Sequence, residues 1–295
     1  MIMSITYING REVRVFSHKE IVSAVKNIFI EANYFLPDAV STIIHDCAER
    51  ETNSLAVSVL NTICDNTNSA KELSVPICQD TGMAVLFAEI GSDVFLDCDF
   101  IEAVNEGVAS AYTDGYLRKS IVRDPLYHRE NTGDNTPALV HISYINKTAA
   151  NKTIKLTAAP KGFGSENMSA IRMFTPSATE EDIVSFVVDT VNTAGSNPCP
   201  PIFVGVGIGS DFEGCALLAK RALLRETPSE DENYKKLEEK VLNEINKLNI
   251  GPQGFGGDTT ALGVYIETAP THIAGLPVAV NINCHVARHK TIILS

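Results

Sequence analysis

The sequence has no Cys-x-x-Cys pair, no His-Glu-x-x-His run and no glycine loop ending in Gly-Lys-Ser/Thr. These absences exclude a zinc ribbon, a thioredoxin-type dithiol, a zincin helix and a phosphate loop. No apolar run approaches the roughly 18 residues of a membrane span. The N-terminal stretch MIMSITYINGREVRV lacks the basic start and apolar segment of a signal peptide. Positive charge is scarce too: 24 Lys and Arg stand against 36 Asp and Glu, a formal net charge of −12. That balance argues against nucleic acid as a partner. It also makes any anionic substrate depend on locally placed Arg or Lys. No internal repeat is visible, and the expectation is a soluble, cytoplasmic protein.

What the chain does have is bulk, with 295 residues of which 44% are apolar, enough for one large core. Ser17 and Glu20 have capping-box spacing, and Ile21, Val25, Ile28 and Phe29 follow at helical period, predicting a helix that stops before Pro37. Helical patterns follow at 38–50 and 54–66, so the first 75 residues read as mostly helical. MAVLFAEI (83–90) reads as a buried strand, 100–116 as a helix and HISYI (141–145) as a half-buried strand. Thr179 can cap a helix that closes at Gly195. PIFVGVGIG then reads as a strand running into glycines, followed by the striped helix ALLAKRALLRE. Ser229 and Glu232 repeat the capping-box pattern ahead of a stripe from Tyr234 to Leu248, ending at Gly251. ALGVYIE and LPVAVNIN close the chain as strands. The fold class is mixed α/β, with a helical N-terminal part followed by mixed sheet lobes. No single linker stands out, so residues 1–295 are taken as one domain that can divide into two lobes.

Seven cysteines at irregular spacing argue against a disulfide framework and for a reducing compartment. Cys47, Cys64 and Cys215 fall in helical patterns and Cys98 in a polar turn, the settings of incidental thiols. Cys78 in VPICQDTG, Cys199 in SNPCPP and Cys284 in NINCHVARH differ. Each lies at the end of an apolar stretch or among prolines, where the chain turns. Buried thiols and a joint metal role both remain open for these three. Three thiolates would leave one iron of a cubane cluster with an open position, as a catalytic metal needs.

GVGIGSDFEG invites a dinucleotide-binding reading, but Ser210 stands where a third glycine is needed, and a tight strand-to-helix turn explains the run better. KGFGSEN (161–167) suits either an oxyanion cradle helped by Lys161 or a solvated loop.

PICQDTGMAV, GYLRKS, NTGDNTPA, KGFGSENMSA, NPCPPIFVGVGIG, IGPQGFGGDTTALGV and ETAPTHIAGLPVAVNINCHVARH occur in this order. Together they resemble class I, iron–sulfur-dependent fumarate hydratase, in particular the α subunit of its two-subunit form. The resemblance implies that Cys78, Cys199 and Cys284 ligate a [4Fe–4S] cluster. It further implies that Gln79, Arg118 and Gly162 bind substrate and that Asp80, with His272 beside it, moves the proton. The expected activity is reversible hydration of fumarate to (S)-malate, a tricarboxylic acid cycle step. A C-terminal domain present in single-chain relatives would be supplied here by a separate β subunit in a higher hetero-oligomer. Arg288 is a fallback for gripping the second carboxylate of the small dicarboxylate substrate. L-tartrate dehydratase, whose α subunit is related, is the alternative activity. A non-catalytic iron–sulfur scaffold is the reading from another class, weakened by the presence of Asp80, Arg118 and His272.

Overall fold

A computed structural model describes residues 4–145 and 151–295. The first three residues of the stretch read for a leader lie outside the described residues. In chain order the elements are β1 (Ser4–Ile8), β2 (Arg11–Ser17), α1 (His18–Tyr34), α2 (Asp38–Arg50), α3 (Ser54–Leu73), β3 (Val85–Gly91), β4 (Val94–Asp97), α4 (Phe100–Asp114), β5 (Leu139–Ile145) and β6 (Ile154–Ala158). Then come α5 (Phe163–Glu166), β7 (Ala170–Phe174), α6 (Glu180–Ala194), β8 (Ile202–Ser210), α7 (Phe212–Ala222), α8 (Glu232–Asn246), β9 (Ala261–Thr271), β10 (Leu276–Asn283) and β11 (Lys290–Leu294). The mixed α/β reading holds. Two compact units emerge, one from Met1–Leu36, Ala70–Lys161 and Arg288–Ser295, the other from Pro37–Ser69 and Gly162–Ala287. The chain passes between them repeatedly, which is why no linker is legible.

In the first unit the capping box forms as expected: the Ser17 side chain accepts from the Glu20 amide and the Glu20 carboxylate accepts from the Ser17 amide. One turn on, Ile21, Val25, Ile28 and Phe29 enter a core shared with Val104, Val108 and Tyr112 of α4. Leu86, Ala88 and Ile90 of β3 and Ile154 and Leu156 of β6 complete it. These helices cover one face of a four-stranded sheet ordered β11-β6-β3-β5, in which β3 and β5 run parallel. The N-terminal residues are not helical throughout, because β1 and β2 form an antiparallel hairpin. Its turn is Asn9-Gly10, both at positive φ, a strong hairpin signal that the helix count overlooked.

The second unit is a sheet ordered β7-β10-β8-β9 with helices on both faces. Alternation along β8 sends Ile202, Val204, Val206 and Ile208 into a core with α6 and α8. Its other face carries Gly205 and Gly207 toward α7. A Cβ at Gly205 would lie 2.1 Å from the Ala219 carbonyl oxygen, and one at Gly207 2.0 Å from that of Cys215. Gly205 and Gly207 therefore admit a helix against the strand, while Gly209 (φ +92°) and Ser210 (φ +62°) make the tight strand-to-helix turn read from the sequence, with only Asp211 between β8 and α7. β8 and β9 run parallel, with α7 and α8 in the crossover, so a β–helix–β unit exists that was not clear from the sequence pattern.

Other boundaries shift for local reasons. The α8 cap is Asp231, not Ser229: its carboxylate accepts from the Asn233 and Tyr234 amides, an anion at the helix's positive end. Ser229 sits upstream and accepts from the Asp231 amide. α7 stops at Ala222, four residues before the end of the striped pattern. Among the described residues no helix is long and apolar enough to cross a membrane.

Candidate active site

In the first unit, Cys78, Gln79 and Asp80 occupy a bend between α3 and β3, and side chains from the core hold it. The buried Tyr112 phenol donates to the carbonyls of Thr81 (3.1 Å) and Gly82 (2.8 Å). Burial pushes that phenol well above its usual pKa, so it stays a donor. Asn135, fully buried, adds an amide bond to the Gly82 carbonyl at 3.3 Å. Gly82 needs its glycine twice over: φ is +78° and a Cβ would lie 2.7 Å from the Lys161 backbone. The Thr81 hydroxyl accepts from the Arg118 amide (2.8 Å) and donates to the Arg118 carbonyl (3.2 Å). The Arg118 backbone is thus clamped while its side chain stays exposed. The Asp80 carboxylate accepts from the Gly82 amide at 3.0 Å.

Arg288 lies beneath this bend. Its guanidinium donates to the Asp80 carbonyl, and the residue is only 4% exposed, with Nε and Nη1 buried and without a hydrogen-bond partner. A sealed guanidinium cannot grip a substrate carboxylate. In this structure Arg288 supports the Asp80 backbone and places a positive charge under it, which corrects the fallback role read from the sequence.

In the second unit, Cys199 precedes β8 and Cys284 follows β10. These strands are antiparallel, with Asn283 opposite Phe203, so both cysteines lie at the same end of the sheet. The His285 Nδ1–H donates to the Cys199 carbonyl at 3.1 Å and ties the two segments together. Cys199 takes a left-handed φ of +55° among prolines. Next to it, the Pro200 carbonyl accepts twice from Gln253, from the backbone amide at 2.7 Å and the side-chain amide at 2.8 Å. Gln253 belongs to the glycine-rich loop 251–258, which is anchored in turn by Glu51. That buried carboxylate accepts from the amides of Thr52 and Asn53 (3.1 Å each) and of Asp258 and Thr259 (2.9 Å each). Gly162 caps the short α5. Lys161 of the first unit is buried, its backbone bridging Met83, so the solvated-loop reading fails at that residue.

His272 sits elsewhere in the second unit. It is exposed at the tip between β9 and β10, and its Nδ1 accepts from the Ala274 amide at 3.1 Å. A neutral ring held this way carries its proton on Nε2. Thr271, just before it, pairs with Ser210 at the far end of β8. The sheet therefore separates His272 from Cys199 and Cys284 rather than bringing them together.

Residues 22–293 match the family described as Fumarate hydratase (Fumerase). The chain belongs to this fumarate hydratase family. It is also 39% identical over 272 residues to a Methanocaldococcus jannaschii protein provisionally named L(+)-tartrate dehydratase subunit alpha, covering 90% of this chain and 94% of that one. To the L(+)-tartrate dehydratase subunit alpha of Escherichia coli K12 it is 31% identical over 261 residues, covering 88% and 86%. The family resemblance read from the seven motifs is upheld, and with it the reading of an enzyme of the hydro-lyase type.

Membership of the fumarate hydratase family gives the cysteines a test. Burial pushes the thiols of Cys47, Cys64, Cys98 and Cys215 above the usual cysteine range, which disfavours the thiolate that a metal takes. Cys78, Cys199 and Cys284 are half-buried or exposed, as Cys47 and Cys98 are too, but all three lie outside helices and strands, Cys78 in a bend, Cys199 just before β8 and Cys284 just after β10. Among the described residues no three His, Cys, Asp or Glu side chains converge on a single metal-ion position, so the donor chemistry is read within each unit. There the three thiols sit on loop segments reachable by a cluster, whereas Cys47, Cys64 and Cys215 are built into helices. Tyr112, Thr81, Asn135, Glu51 and Gln253 went unread in the sequence. Thr81, Asn135 and Gln253 lie inside the quoted motifs, whereas nothing around Glu51 marks it.

Proposed function

We propose that this chain is the α subunit of a [4Fe–4S]-dependent hydro-lyase that reversibly hydrates fumarate to (S)-malate. The observation that carries the reading is the fumarate hydratase match across residues 22–293, a span that includes all three end-of-element cysteines. Cys78, Cys199 and Cys284 are the residues that would hold the cluster. When bound, a cluster with one iron lacking a protein thiolate supplies a Lewis acid for carboxylate and hydroxyl oxygens. The chain's own residues do the rest. Arg118, with a fixed backbone and an exposed guanidinium, grips a carboxylate through two parallel hydrogen bonds. Gln79 adds a neutral hydrogen bond, and Gly162 lines the substrate site. In the dehydration direction Asp80 takes the proton from the carbon beside a carboxylate, and in hydration it returns it, with His272 adjusting its protonation.

A β subunit supplies the groups for the second carboxylate, and a reducing cytoplasm is the compartment in which an open cluster survives. Both similar relatives are named tartrate dehydratase α subunits, which favours a second reading: L-tartrate loses water and the resulting enol becomes oxaloacetate. The test is anaerobic reconstitution with iron and sulfide, titration of a β subunit, and assay of fumarate, malate and L-tartrate side by side. Turnover should appear only as the partner is added. Full fumarate turnover by this chain alone would overturn the two-subunit reading, and turnover of L-tartrate alone would select the second substrate.

A further inference from the structure

Two residues on either side of the Pro200 carbonyl hold backbone shapes that their side chains disfavour. Cys199 has a φ of +55° and Gln253 a φ of +54°. Left-handed φ suits glycine and is tolerated by Asn, Asp and His, but the backbone of other residues is biased against it by about tenfold. Within 251–258 the other residues at positive φ are all glycine: Gly251, Gly254, Gly256 and Gly257. A glycine at 253 would follow the same path with less strain, so the glutamine is explained by its side chain. That side chain and the Gln253 amide both donate to the carbonyl of Pro200, a buried residue next to Cys199. We propose that Gln253 is a positioning residue for the cluster, holding Cys199 in the left-handed shape from which its thiol serves as a ligand. The inference rests on the reading above, in which Cys199 holds the cluster.

The rest of the loop is built to keep this contact. Gly254 lies against the turn before Cys199: a Cβ there would sit 2.5 Å from that of Ser196. The Ser196 carbonyl in turn accepts from the Cys199 amide at 3.1 Å. Gly257 lies against Glu51, where a Cβ would meet Oε1 at 3.0 Å, and this closeness lets the carboxylate reach the amides of Asp258 and Thr259. Gly251 ties down the other end, its amide donating to the Thr260 hydroxyl at 3.1 Å. With the His285 ring on the Cys199 carbonyl, the backbone is held at the Cys199 amide, at its own carbonyl and at the next one, while Cys199 itself stays exposed. If the Gln253 hold is removed, φ at Cys199 relaxes toward its ordinary range, and Cβ and sulfur swing with it. Partners beyond the ligands that fix a ligand's orientation contribute about 10- to 100-fold to metal affinity.

The test separates folding from iron. Gln253→Gly removes the side-chain donor and relieves the strain at 253, so its urea midpoint should stay close to that of wild type. Reconstituted anaerobically in the complex with the β subunit and transferred into excess ferrous chelator, it should nonetheless release iron about tenfold faster. Gln253→Glu keeps the length and the left-handed φ but sets a carboxylate without a proton to donate against the Pro200 carbonyl, and it should release iron faster still. Asn249→Gly relieves a left-handed φ of +52° outside the Cys199 turn and should release iron at the wild-type rate. In the cluster-free complex, hydrogen exchange over residues 196–203 should be faster in both Gln253 variants than in wild type. Iron release from Gln253→Gly at the wild-type rate overturns the proposal, as does faster release that only tracks a lower urea midpoint. Unchanged hydrogen exchange in the two Gln253 variants overturns it as well, whether or not a cluster is present. A wild-type complex that assembles no cluster refutes the reading of Cys199 as a ligand instead, and the exchange still reports whether Gln253 holds the turn.

Discussion

The Cys78 bend of the first unit is held by side chains reaching out of a packed core, whereas the Cys199 turn of the second is held by loop against loop. Around Asp80 the carbonyls of three successive residues are met by the Arg288 guanidinium, the Tyr112 phenol and the Asn135 amide. Around Cys199 a backbone carbonyl meets Gln253, whose loop depends on the single carboxylate of Glu51. The first arrangement suits the proton-transfer role proposed for Asp80, because its supports are buried and largely uncharged. The second suits the ligand role proposed for Cys199, and it makes that segment among prolines and glycines depend on one ionised group.

The largest effect should come from removing the chemistry of the first turn while leaving its supports in place. Asp80→Asn in the reconstituted complex should keep cluster absorbance and lose about 10²–10⁴-fold in kcat, the usual contribution of a general acid–base group. Near-normal kcat would remove Asp80 from the proton path. A smaller effect should follow from weakening the supports. Tyr112→Phe deprives the Thr81 and Gly82 carbonyls of a buried donor, and should cost about 1–3 kcal/mol in urea unfolding. An unchanged midpoint would mean that Asn135 and packing suffice.

The smallest effect is one that acid removes, and it distinguishes the second turn from the first. Burial raises the Glu51 carboxyl, but hydrogen bonds from Asp258, Asn53 and Thr259 outweigh it and bring its pKa below the ordinary 4.5. Such a group adds stability that is fully present above its unfolded pKa and is lost as pH falls through the lower folded value. Wild-type protein should therefore exceed Glu51→Gln in stability at pH 7, with the gap narrowing below about pH 4.5. A gap that stays constant with pH would show that Glu51 acts by shape rather than charge.

Much of the fold was legible where local signals agree. The Ser17/Glu20 box, the stripe through Ile21 and Phe29, and the Thr179 cap with Gly195 all state helix limits in the sequence itself. The β1–β2 hairpin was overlooked despite its Asn-Gly turn, because the strong helices after it dominated the reading. The packing role of Gly205 and Gly207 was not legible, because it depends on how closely the following helix, α7, folds back onto the strand. Glu51 was hidden because two of its four amide donors, those of Asp258 and Thr259, lie 207 and 208 residues away. The end-of-element setting of the three cysteines was legible from prolines and pattern breaks. The position of His272 at the other end of the sheet was not, since strand register is invisible in a single sequence.

The most direct test of the central claim compares iron, sulfide and visible absorbance across cysteine variants after anaerobic reconstitution. Cys78→Ser, Cys199→Ser and Cys284→Ser should each lose the cluster, while Cys47→Ser, whose half-buried thiol lies within α2, should keep it. A Cys284→Ser protein with a full-strength cluster spectrum would contradict the account.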